Sequence, residues 1–301
     1  MEKIKKITII GGGEIGQATA KLLVDKVSTI AVWDIDESHR QQASSLVEAL
    51  AGSQFVFLAL PSGAVRDVVA EILPHLEDSA TIVCLAKGLE NESGLSMDLL
   101  LNQILPTEIN FVLISGPMIA EEILANRPGA AMVAGSENKA VKDLLALFAN
   151  TNLRLLPTND LRGVALAGPL KNIYAFGLGL GDGLDWGENL KGLFLVSAIA
   201  EMERIVSVLG GQEETMHGLA GLGDLVVTGF SLNSRNRSVG EASAKAGRPE
   251  GSCEGLSSAK PMAVLLGEAV SDLPLFEAIY KISTGEESPA EALSFLTDRL
   301  A

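Results

Sequence analysis

The stretch Ile7-Thr8-Ile9-Ile10-Gly11-Gly12-Gly13-Glu14-Ile15-Gly16 decides the predicted fold. Its first four residues are β-branched, which is typical of a buried strand, and its glycines have the spacing G-x-G-x-x-G. Gly11 permits a tight turn, Gly13 lets the backbone approach a pyrophosphate, and Gly16 lets the following helix pack close to the sheet. The free N–H groups at the start of that helix would hold the diphosphate. A merely flexible glycine loop, the alternative, does not account for a strand before the motif and a helix after it.

Asp34 stands at the end of the second predicted strand, 18 residues after Gly16. An acidic side chain at this position usually accepts hydrogen bonds from the ribose hydroxyls of NAD, and its charge repels the 2′-phosphate of NADP. We therefore favour NAD, although His39 and Arg40 lie close enough in the sequence to leave NADP open. Asp34 or Asp36 could also cap the next helix, and that role does not exclude binding of the ribose.

Short apolar runs alternate with helical patterns through the first half of the chain. The predicted strands are Lys6–Ile10, Thr29–Trp33, Phe55–Leu60, Ala80–Leu85, Phe111–Ile114, Ala130–Ala134 and Leu153–Leu156. The predicted helices between them are Ile15–Val24, Ser38–Leu50, Ala64–Leu73, Leu95–Ile104, Pro117–Ala125 and Asn138–Asn150. This alternation indicates βαβ units and therefore an α/β, Rossmann-type domain with a mostly parallel sheet.

The alternation stops near Pro157, and the remaining patterns are almost all helical. The predicted helices there are Leu161–Leu180, Leu190–Leu209, Asn236–Ala246, Ser257–Leu266, Leu273–Ile282 and Pro289–Arg299. The run 157–160 is turn-like and ends in Asp160, a residue suited to capping a helix. We therefore predict a dinucleotide-binding domain over residues 1–157 and an all-α substrate and catalytic domain over residues 158–301.

Composition excludes several classes of partner. The formal net charge is −15, and no basic stripe could neutralise the phosphates of a nucleic acid. A few local cations could still bind an anionic small molecule in such a field. Every apolar run is too short to span a bilayer, so we expect no membrane insertion. Two cysteines imply no disulfide framework, and we expect a cytoplasmic protein.

Three predicted strands end in loops with functional potential. Ser62 follows the third strand, Lys87 the fourth and Gly116 the fifth. Ligands bind at the carboxyl ends of parallel strands, so a cation such as Lys87 suits an anionic substrate or the cofactor. A solvated surface lysine is an equally good interpretation of Lys87 taken alone.

Lys171 and Asn172 interrupt a helix that is otherwise strongly apolar. Burial would lower the pKa of Lys171 and make it usable as a general acid or base near neutral pH. Alternatively, Lys171 extends along the surface of the domain with its ammonium in water.

Two further segments of the second half bear on chemistry. The glycine-rich run 218–225 delivers a carboxylate, Asp224. Ser234 is placed to cap a helix whose first turn contains Arg235 and Asn236, and such a combination of N–H groups, guanidinium and amide can bind a phosphate. An ion-paired surface turn explains the arginine equally well by itself.

Other catalytic residue types have weaker support. His217 is the best rival base, because it lies just before the Asp224 segment, but we expect it to be a partly exposed loop residue. Neither Cys84 nor Cys253 has an obvious activating partner. Neither of the metal-ligand spacings CxxC and HExxH occurs, so we predict no metal site.

Taken together, these motifs resemble the soluble NAD(P)-dependent glycerol-3-phosphate dehydrogenases over nearly the whole chain. The resemblance rests on the segments Gly11–Gly16, Leu60–Ser62, Lys87–Leu89, Ser115–Pro117, Ala120–Glu122, Leu170–Asn172, Asp182–Leu184, Asn189 with Lys191, Glu201–Met202, Gly218–Asp224 with Thr228, Ser234–Arg237 and Glu254–Gly255. It implies reversible hydride transfer between NAD(P)H and dihydroxyacetone phosphate, which supplies sn-glycerol 3-phosphate for phospholipid synthesis. It also implies a homodimer.

The resemblance further implies a role for each matching residue. Lys171 would be the catalytic lysine, with Asp224 orienting it or the substrate hydroxyls. The substrate would contact Lys87, Gly116, Ser234, Arg235 and Asn236. The cofactor would contact Gly11, Gly13, Ile15, Gly16, Asp34, Ser62, Lys87, Ala120, Arg235 and Glu254.

Some positions depart from the family pattern. Ile15 stands where the family usually has an aromatic residue, and Met118 where it often has a small hydroxyl residue. Pro169 stands in place of a small residue and Leu190 in place of a threonine. Residues 196–198 take the place of a Thr-Arg-Gly sequence. The stretch from Asp36 to Phe55 is also short. These departures leave two alternatives open: a dehydrogenase of the same architecture for another small phosphate or hydroxy acid, and a non-catalytic nucleotide sensor. The presence of both Lys171 and Asp224 argues against the sensor.

Overall fold

A seven-stranded sheet forms the first half of the computed structural model, which describes residues 4–90 and 92–298. Its strands are β1 Lys6–Ile10, β2 Thr29–Trp33, β3 Phe55–Leu58, β4 Thr81–Cys84, β5 Asn110–Ser115, β6 Gly129–Gly135 and β7 Leu153–Pro157. The order is β2-β1-β3-β4-β5-β6-β7, and only the β5–β6 pair is antiparallel. The prediction of a mostly parallel sheet is therefore confirmed, and β1 lies where the strand order reverses, the usual ligand crevice of such sheets.

Helices cover this sheet and build the second half. Those of the first half are α1 Glu14–Leu23, α2 Leu46–Leu50, α3 Val65–Ile72, α4 Met97–Ile104, α5 Ala120–Leu124 and α6 Asn138–Phe148. Those that follow are α7 Leu161–Gly183, α8 Glu188–Val208, α9 Glu214–His217, α10 Asp224–Phe230, α11 Arg235–Ala246, α12 Glu254–Leu266, α13 Pro274–Thr284, α14 Pro289–Ala292 and α15 Phe295–Asp298. In the described part of the chain, no helix combines the length and apolarity needed to cross a membrane.

The predicted helix Ser38–Leu50 is wrong over most of its length. Only a 3-10 turn at Glu37–His39 and the short helix α2 form there. Gln41 instead exchanges two backbone hydrogen bonds with Val32 at the sheet edge, at 2.9 and 3.0 Å, and Ser45 caps α2. Edge pairing and local serine bonds thus outweigh the helical pattern.

Other differences lie in the second half. No helix was expected over residues 214–217 and 219–230, where α9, a π turn and α10 form. The single helix predicted for Pro289–Arg299 is instead the two short helices α14 and α15, and Arg299 lies outside the described residues.

Helix α7 is the centre of the second half. Every residue from Gly163 to Gly181 is buried, and α8, α10, α11, α12 and α13 pack against it. A helix that is apolar on all sides must be enclosed in this way. Its two polar residues, Lys171 and Asn172, are consequently carried into the interior.

Candidate active site

A cavity of about 560 Å³ opens where the loops after β4 and β5 meet helices α10 and α11. Among its lining residues are six of the predicted site residues: Lys87, Lys171, Asp224, Ser234, Arg235 and Asn236. Ile15 and Ala120, predicted on the cofactor side, line the same cavity. Residues far apart in the sequence are therefore brought to one space.

Asp224 joins two lysines at the base of this cavity. Its Oδ2 atom accepts a hydrogen bond from Lys87 Nζ at 2.7 Å, and its Oδ1 atom lies 3.3 Å from Lys171 Nζ. Lys171 Nζ also donates to Thr228 Oγ1 at 2.8 Å. Two cations thus share one carboxylate, and the excess positive charge suits an anionic ligand.

Burial sets the protonation of this cluster. Only 6% of the Lys171 surface is exposed, and this burial, with a smaller contribution from Lys87, lowers its pKa to about 8 despite the opposing effect of Asp224. Burial by itself would raise the pKa of Asp224, but the two lysines together lower it below its usual value. Lys171 is thus a cation that can release its proton near neutral pH, beside a carboxylate that stays ionised.

Local backbone geometry places these groups. A Cβ atom at Gly168 would lie 2.9 Å from Lys87 Cα, so only glycine lets the loop after β4 approach α7 this closely. The carbonyl oxygen of Gly116 accepts a hydrogen bond from Lys87 Nζ at 2.7 Å and fixes the ammonium. Asp224 is the first residue of α10 and follows the π turn Leu219–Gly223.

The start of α11 forms the outer wall of the cavity. Ser234 caps this helix as predicted and accepts a hydrogen bond from the Arg237 N–H group at 3.3 Å. The exposed Arg235 guanidinium donates to the carbonyl oxygen and hydroxyl of Ser252, at 2.8 and 3.3 Å. These bonds hold the guanidinium at the rim of the cavity.

Asn236 was predicted to contact the phosphate, but its side chain makes hydrogen bonds that connect several elements of the fold. Its Oδ1 atom accepts a hydrogen bond from the Gly255 N–H group, and its Nδ2 atom donates to Asn172 Oδ1, both at 2.8 Å. Asn172 in turn donates to the carbonyl oxygen of Lys87 at 3.1 Å. The two amides therefore connect α11, α12, α7 and the loop of Lys87.

Ser62 and Glu254 form another bond across the two halves of the chain. Ser62 Oγ donates to Glu254 Oε2 at 2.9 Å, and the Ser62 N–H group lies 3.3 Å from Oε1. Gly88 lies against this pair, and any side chain there would overlap both partners. The two predicted cofactor residues are thus in direct contact.

The glycine motif has the geometry that a dinucleotide requires. Gly11 has a φ of +101°, a Cβ atom at Gly16 would overlap the Gly11 carbonyl oxygen, and a Cβ atom at Gly13 would face open space. No side chain caps α1, so its first N–H groups face the approach to Gly13. The chain therefore fits a diphosphate at this point.

Asp34 lies beside a second cavity, of about 390 Å³, lined mainly by apolar residues such as Trp33, Leu60 and Pro61. Its carboxylate accepts hydrogen bonds from the N–H groups of Gly12 at 2.6 Å and Asp36 at 2.9 Å. The glycine motif separates the two cavities, because Gly13 lines one and Glu14 the other.

His39 and Arg40, the two residues that left NADP open, lie close to Trp33 and Asp34. Arg40 lies 3.9 Å above the Trp33 ring and donates to the Asp34 carbonyl oxygen at 2.8 Å, and His39 Nδ1 is 4.0 Å from the Asp34 carboxylate. Neither side chain lines the second cavity. Asp36, one of the two residues considered as a cap, does cap the following 3-10 turn.

The rival residues lie away from the main cavity. His217 was expected in a loop, but it is the last residue of α9, where it is exposed and pairs with Glu203. Cys84 is enclosed in β4, where burial raises its pKa to about 12, and burial likewise raises the pKa of Cys253. Across residues 4–90 and 92–298, no group of three or more His, Cys, Asp or Glu side chains could hold a metal ion.

Sequence reasoning gave Thr228 no role of its own. Thr228 lies four residues after Asp224 on α10, so both side chains are on one face of that helix and both contact Lys171. Recognition of a helix after the glycine-rich run would have placed Thr228 in the site.

Comparison with known proteins gives consistent results over nearly the full chain. Residues 41–141 match the model of the NAD-dependent glycerol-3-phosphate dehydrogenase N-terminus, and residues 160–294 match that of the C-terminus. Glycerol-3-phosphate dehydrogenase [NAD(P)+] of Clostridium tetani is 32% identical, covering 93% of this chain and 88% of its own. The enzyme of the same name from Anaeromyxobacter sp. (strain K) is also 32% identical, covering 98% of both chains. The crystal structure of glycerol-3-phosphate dehydrogenase from Coxiella burnetii superposes with a TM-score of 0.90 at 28% identity, covering 98% of this chain and 99% of that one.

Proposed function

The chain belongs to the NAD-dependent glycerol-3-phosphate dehydrogenase family, and we propose that its main cavity interconverts dihydroxyacetone phosphate and sn-glycerol 3-phosphate. The product would supply the glycerol phosphate of phospholipids. One observation carries the assignment of the site: the buried cluster of Lys171, Asp224 and Lys87 shares a cavity with the capped start of α11. The two alternative functions, a different substrate and a nucleotide sensor, have less support than this one.

Lys171 performs the proton transfer of the proposed reaction. A bound nicotinamide ring supplies the hydride that C2 of the substrate receives. The Lys171 ammonium gives a proton to the carbonyl oxygen, which becomes the C2 hydroxyl, and the lysine is left neutral until solvent reprotonates it. With a pKa of about 8, Lys171 is mostly protonated at neutral pH yet releases its proton readily.

Asp224 and Lys87 prepare Lys171 for this transfer. The Asp224 carboxylate keeps Lys171 charged and limits its rotation, because it lies 3.3 Å from Nζ. Lys87 is held by both Asp224 and the Gly116 carbonyl oxygen, and its positive charge adds a smaller contribution to the burial that lowers the pKa of Lys171. The substrate carbonyl then meets a prepared donor.

The start of α11 binds the phosphate in this proposal. Ser234, Arg235 and Asn236 line the cavity, and the helix N-terminus directs N–H groups and a positive dipole towards it. Phosphate binding far from C2 aligns the carbonyl with Lys171, so remote binding energy contributes to the chemical step.

The cofactor lies across the glycine motif in this proposal. Gly13 and the first N–H groups of α1 would hold the diphosphate, in the turn that Gly11 and Gly16 make possible. Asp34 would bind the ribose of the adenosine. The nicotinamide half would contact Ile15, Ser62, Lys87, Ala120, Arg235 and Glu254. The Asp34 carboxylate beside the second cavity supports a preference for NAD over NADP.

The organisation of the chain completes the proposal. Residues 1–157 would hold the cofactor and residues 158–301 the substrate, and the break between β7, ending at Pro157, and α7, starting at Leu161, supports this division. A homodimer in the cytoplasm is also proposed, and two buried free cysteines support a reducing compartment. Light scattering on the purified chain tests for the dimer.

Substrate comparison tests the function. The purified protein is assayed for oxidation of NADH with dihydroxyacetone phosphate, unphosphorylated dihydroxyacetone and a 2-keto acid. We expect turnover chiefly with dihydroxyacetone phosphate, and Arg235→Ala should raise its KM while changing little for dihydroxyacetone. Equal loss with both substrates would show that Arg235 does not bind phosphate, and preference for the keto acid would refute the assignment.

A further inference from the structure

Helices α7 and α11 touch through their backbones at three glycines. A Cβ atom at Gly179 would overlap the carbonyl oxygen of Arg237, and one at Gly183 would lie 2.5 Å from that of Glu241. On the other helix, a Cβ atom at Gly240 would overlap the Phe176 carbonyl oxygen and lie 3.0 Å from Gly179 Cα. No larger residue allows this approach, so the glycines determine the distance between the helices.

An ion pair fixes the same two helices along their length. Arg237 Nε on α11 lies 2.6 Å from Asp182 Oδ2 on α7, and both side chains are largely buried. The backbone N–H group of Arg237 donates to the capping Ser234 hydroxyl. Arg237 therefore joins the first turn of α11 directly to α7.

The helices that meet here carry opposite parts of the active site. Lys171 is eight residues before Gly179 on α7, which is about 12 Å along the helix. Arg235 is five residues before Gly240 on α11, or about 7.5 Å. Since an α-helix is nearly rigid over such lengths, a change at the glycine contact moves the start of α11 relative to Lys171.

We infer that Gly179, Gly183 and Gly240, with the Arg237–Asp182 pair, position the phosphate-binding end of α11 over Lys171. They touch neither substrate nor cofactor in the proposed function, on which this inference rests. Their role is to set the distance between the bound phosphate and the proton donor.

Gly240→Ala is the direct perturbation. The added methyl group would overlap the Phe176 carbonyl oxygen and lie 2.9 Å from the Leu180 nitrogen, against the ~3.5 Å of ordinary contact, so relief of the overlap requires α11 to move by roughly 1 Å. A misplacement of this size can cost about 100-fold in rate. We expect kcat/KM for dihydroxyacetone phosphate to fall by about 100-fold, through kcat as well as KM, and the Kd for inorganic phosphate to rise at least about tenfold.

Arg237→Met is a second perturbation that introduces no overlap. Asp182 remains paired with Lys191 at 3.1 Å, so no buried charge is left alone. Phosphate affinity should again fall, and Arg237→Lys should restore part of it, because an ammonium can still reach Asp182. Gly192→Ala on α8 is the matched control, since a Cβ atom there meets nothing within 4 Å, and it should leave the phosphate affinity, KM and kcat unchanged.

The experiment measures the Kd for inorganic phosphate by calorimetry, the KM and kcat for dihydroxyacetone phosphate, and thermal unfolding. Unchanged phosphate affinity in folded Gly240→Ala or Arg237→Met overturns the inference, as does an unchanged kcat/KM for dihydroxyacetone phosphate. If Gly240→Ala does not fold, the two Arg237 variants decide. Lack of turnover in the unaltered protein refutes the proposed function alone, because phosphate affinity still tests the positioning.

Discussion

Removing the charge of Asp224 should move the pH dependence of reduction towards acid. Lys171 must be protonated to reduce dihydroxyacetone phosphate, so kcat/KM of the unaltered enzyme should fall above about pH 8, the pKa of Lys171. Asp224 opposes the lowering of that pKa from 3.3 Å away, a separation at which two unit charges interact by about 5 kcal/mol at an effective dielectric constant near 20. Asp224→Asn removes this interaction and leaves Lys171 buried beside Lys87.

The decline of kcat/KM in Asp224→Asn should therefore begin at least one pH unit lower. A shift of one unit in the pKa of Lys171 corresponds to roughly 1.4 kcal/mol, which is only part of the interaction that the substitution removes. Thr228→Val is the matched control, because it removes the 2.8 Å hydrogen bond to Lys171 but no charge, and its profile should stay close to that of the unaltered enzyme. Initial rates across pH 5.5 to 9.5, with saturating NADH, give both profiles. An unmoved or more alkaline limb in Asp224→Asn would refute the idea that this carboxylate maintains the charge of Lys171.

Three further outcomes are expected. Lys171→Ala should abolish turnover and leave the cofactor affinity unchanged. Lys171→Arg should not restore turnover, because a guanidinium does not release its proton near neutral pH. Turnover assays together with NADH titration of both variants check this. NADH should bind more tightly than NADPH in fluorescence titrations, and the reverse order would remove Asp34 as the selecting residue. Glu90, whose pKa is lowered to about 2, chiefly by its hydrogen bond from Arg66, should contribute at most about 3 kcal/mol to stability above pH 4.5. That contribution should decrease as the pH falls towards 2, and denaturant unfolding of Glu90→Gln should show a smaller acid sensitivity than the unaltered chain.

Local patterns in the sequence predicted most of the fold. The strands β1 and β2 have the bounds that their β-branched runs predicted, and Ser234 caps α11 because capping depends on residues three apart. The glycine motif could likewise be interpreted from the sequence. The tight turn, the approach of the diphosphate to the backbone and the packing of the helix on the sheet all depend on the same six residues. In these segments the structure follows from neighbours in the chain, so sequence reasoning was sufficient.

Long-range contacts account for what could not be predicted. The bond between Ser62 and Glu254 joins residues 192 positions apart, and the bond between Lys87 and Asp224 joins residues 137 apart. No spacing rule connects such pairs. The two-way pairing of Gln41 with the sheet edge is of the same kind, since it depends on where β2 lies and not on the helical pattern around Gln41.

The structure also shows which departures from the family pattern lie where they could contact the substrate. Residues 196–198, where the family resemblance leads us to expect an arginine, do not line the main cavity, and Val196 is 70% exposed on α8. Pro169 is enclosed within α7 and faces no ligand space. Met118 and Ile15 do line the cavity. Because substrate selection requires contact with the cavity, any difference in specificity between this chain and its relatives should arise at Met118 and Ile15, and the missing arginine should not weaken binding of the phosphate within the cavity.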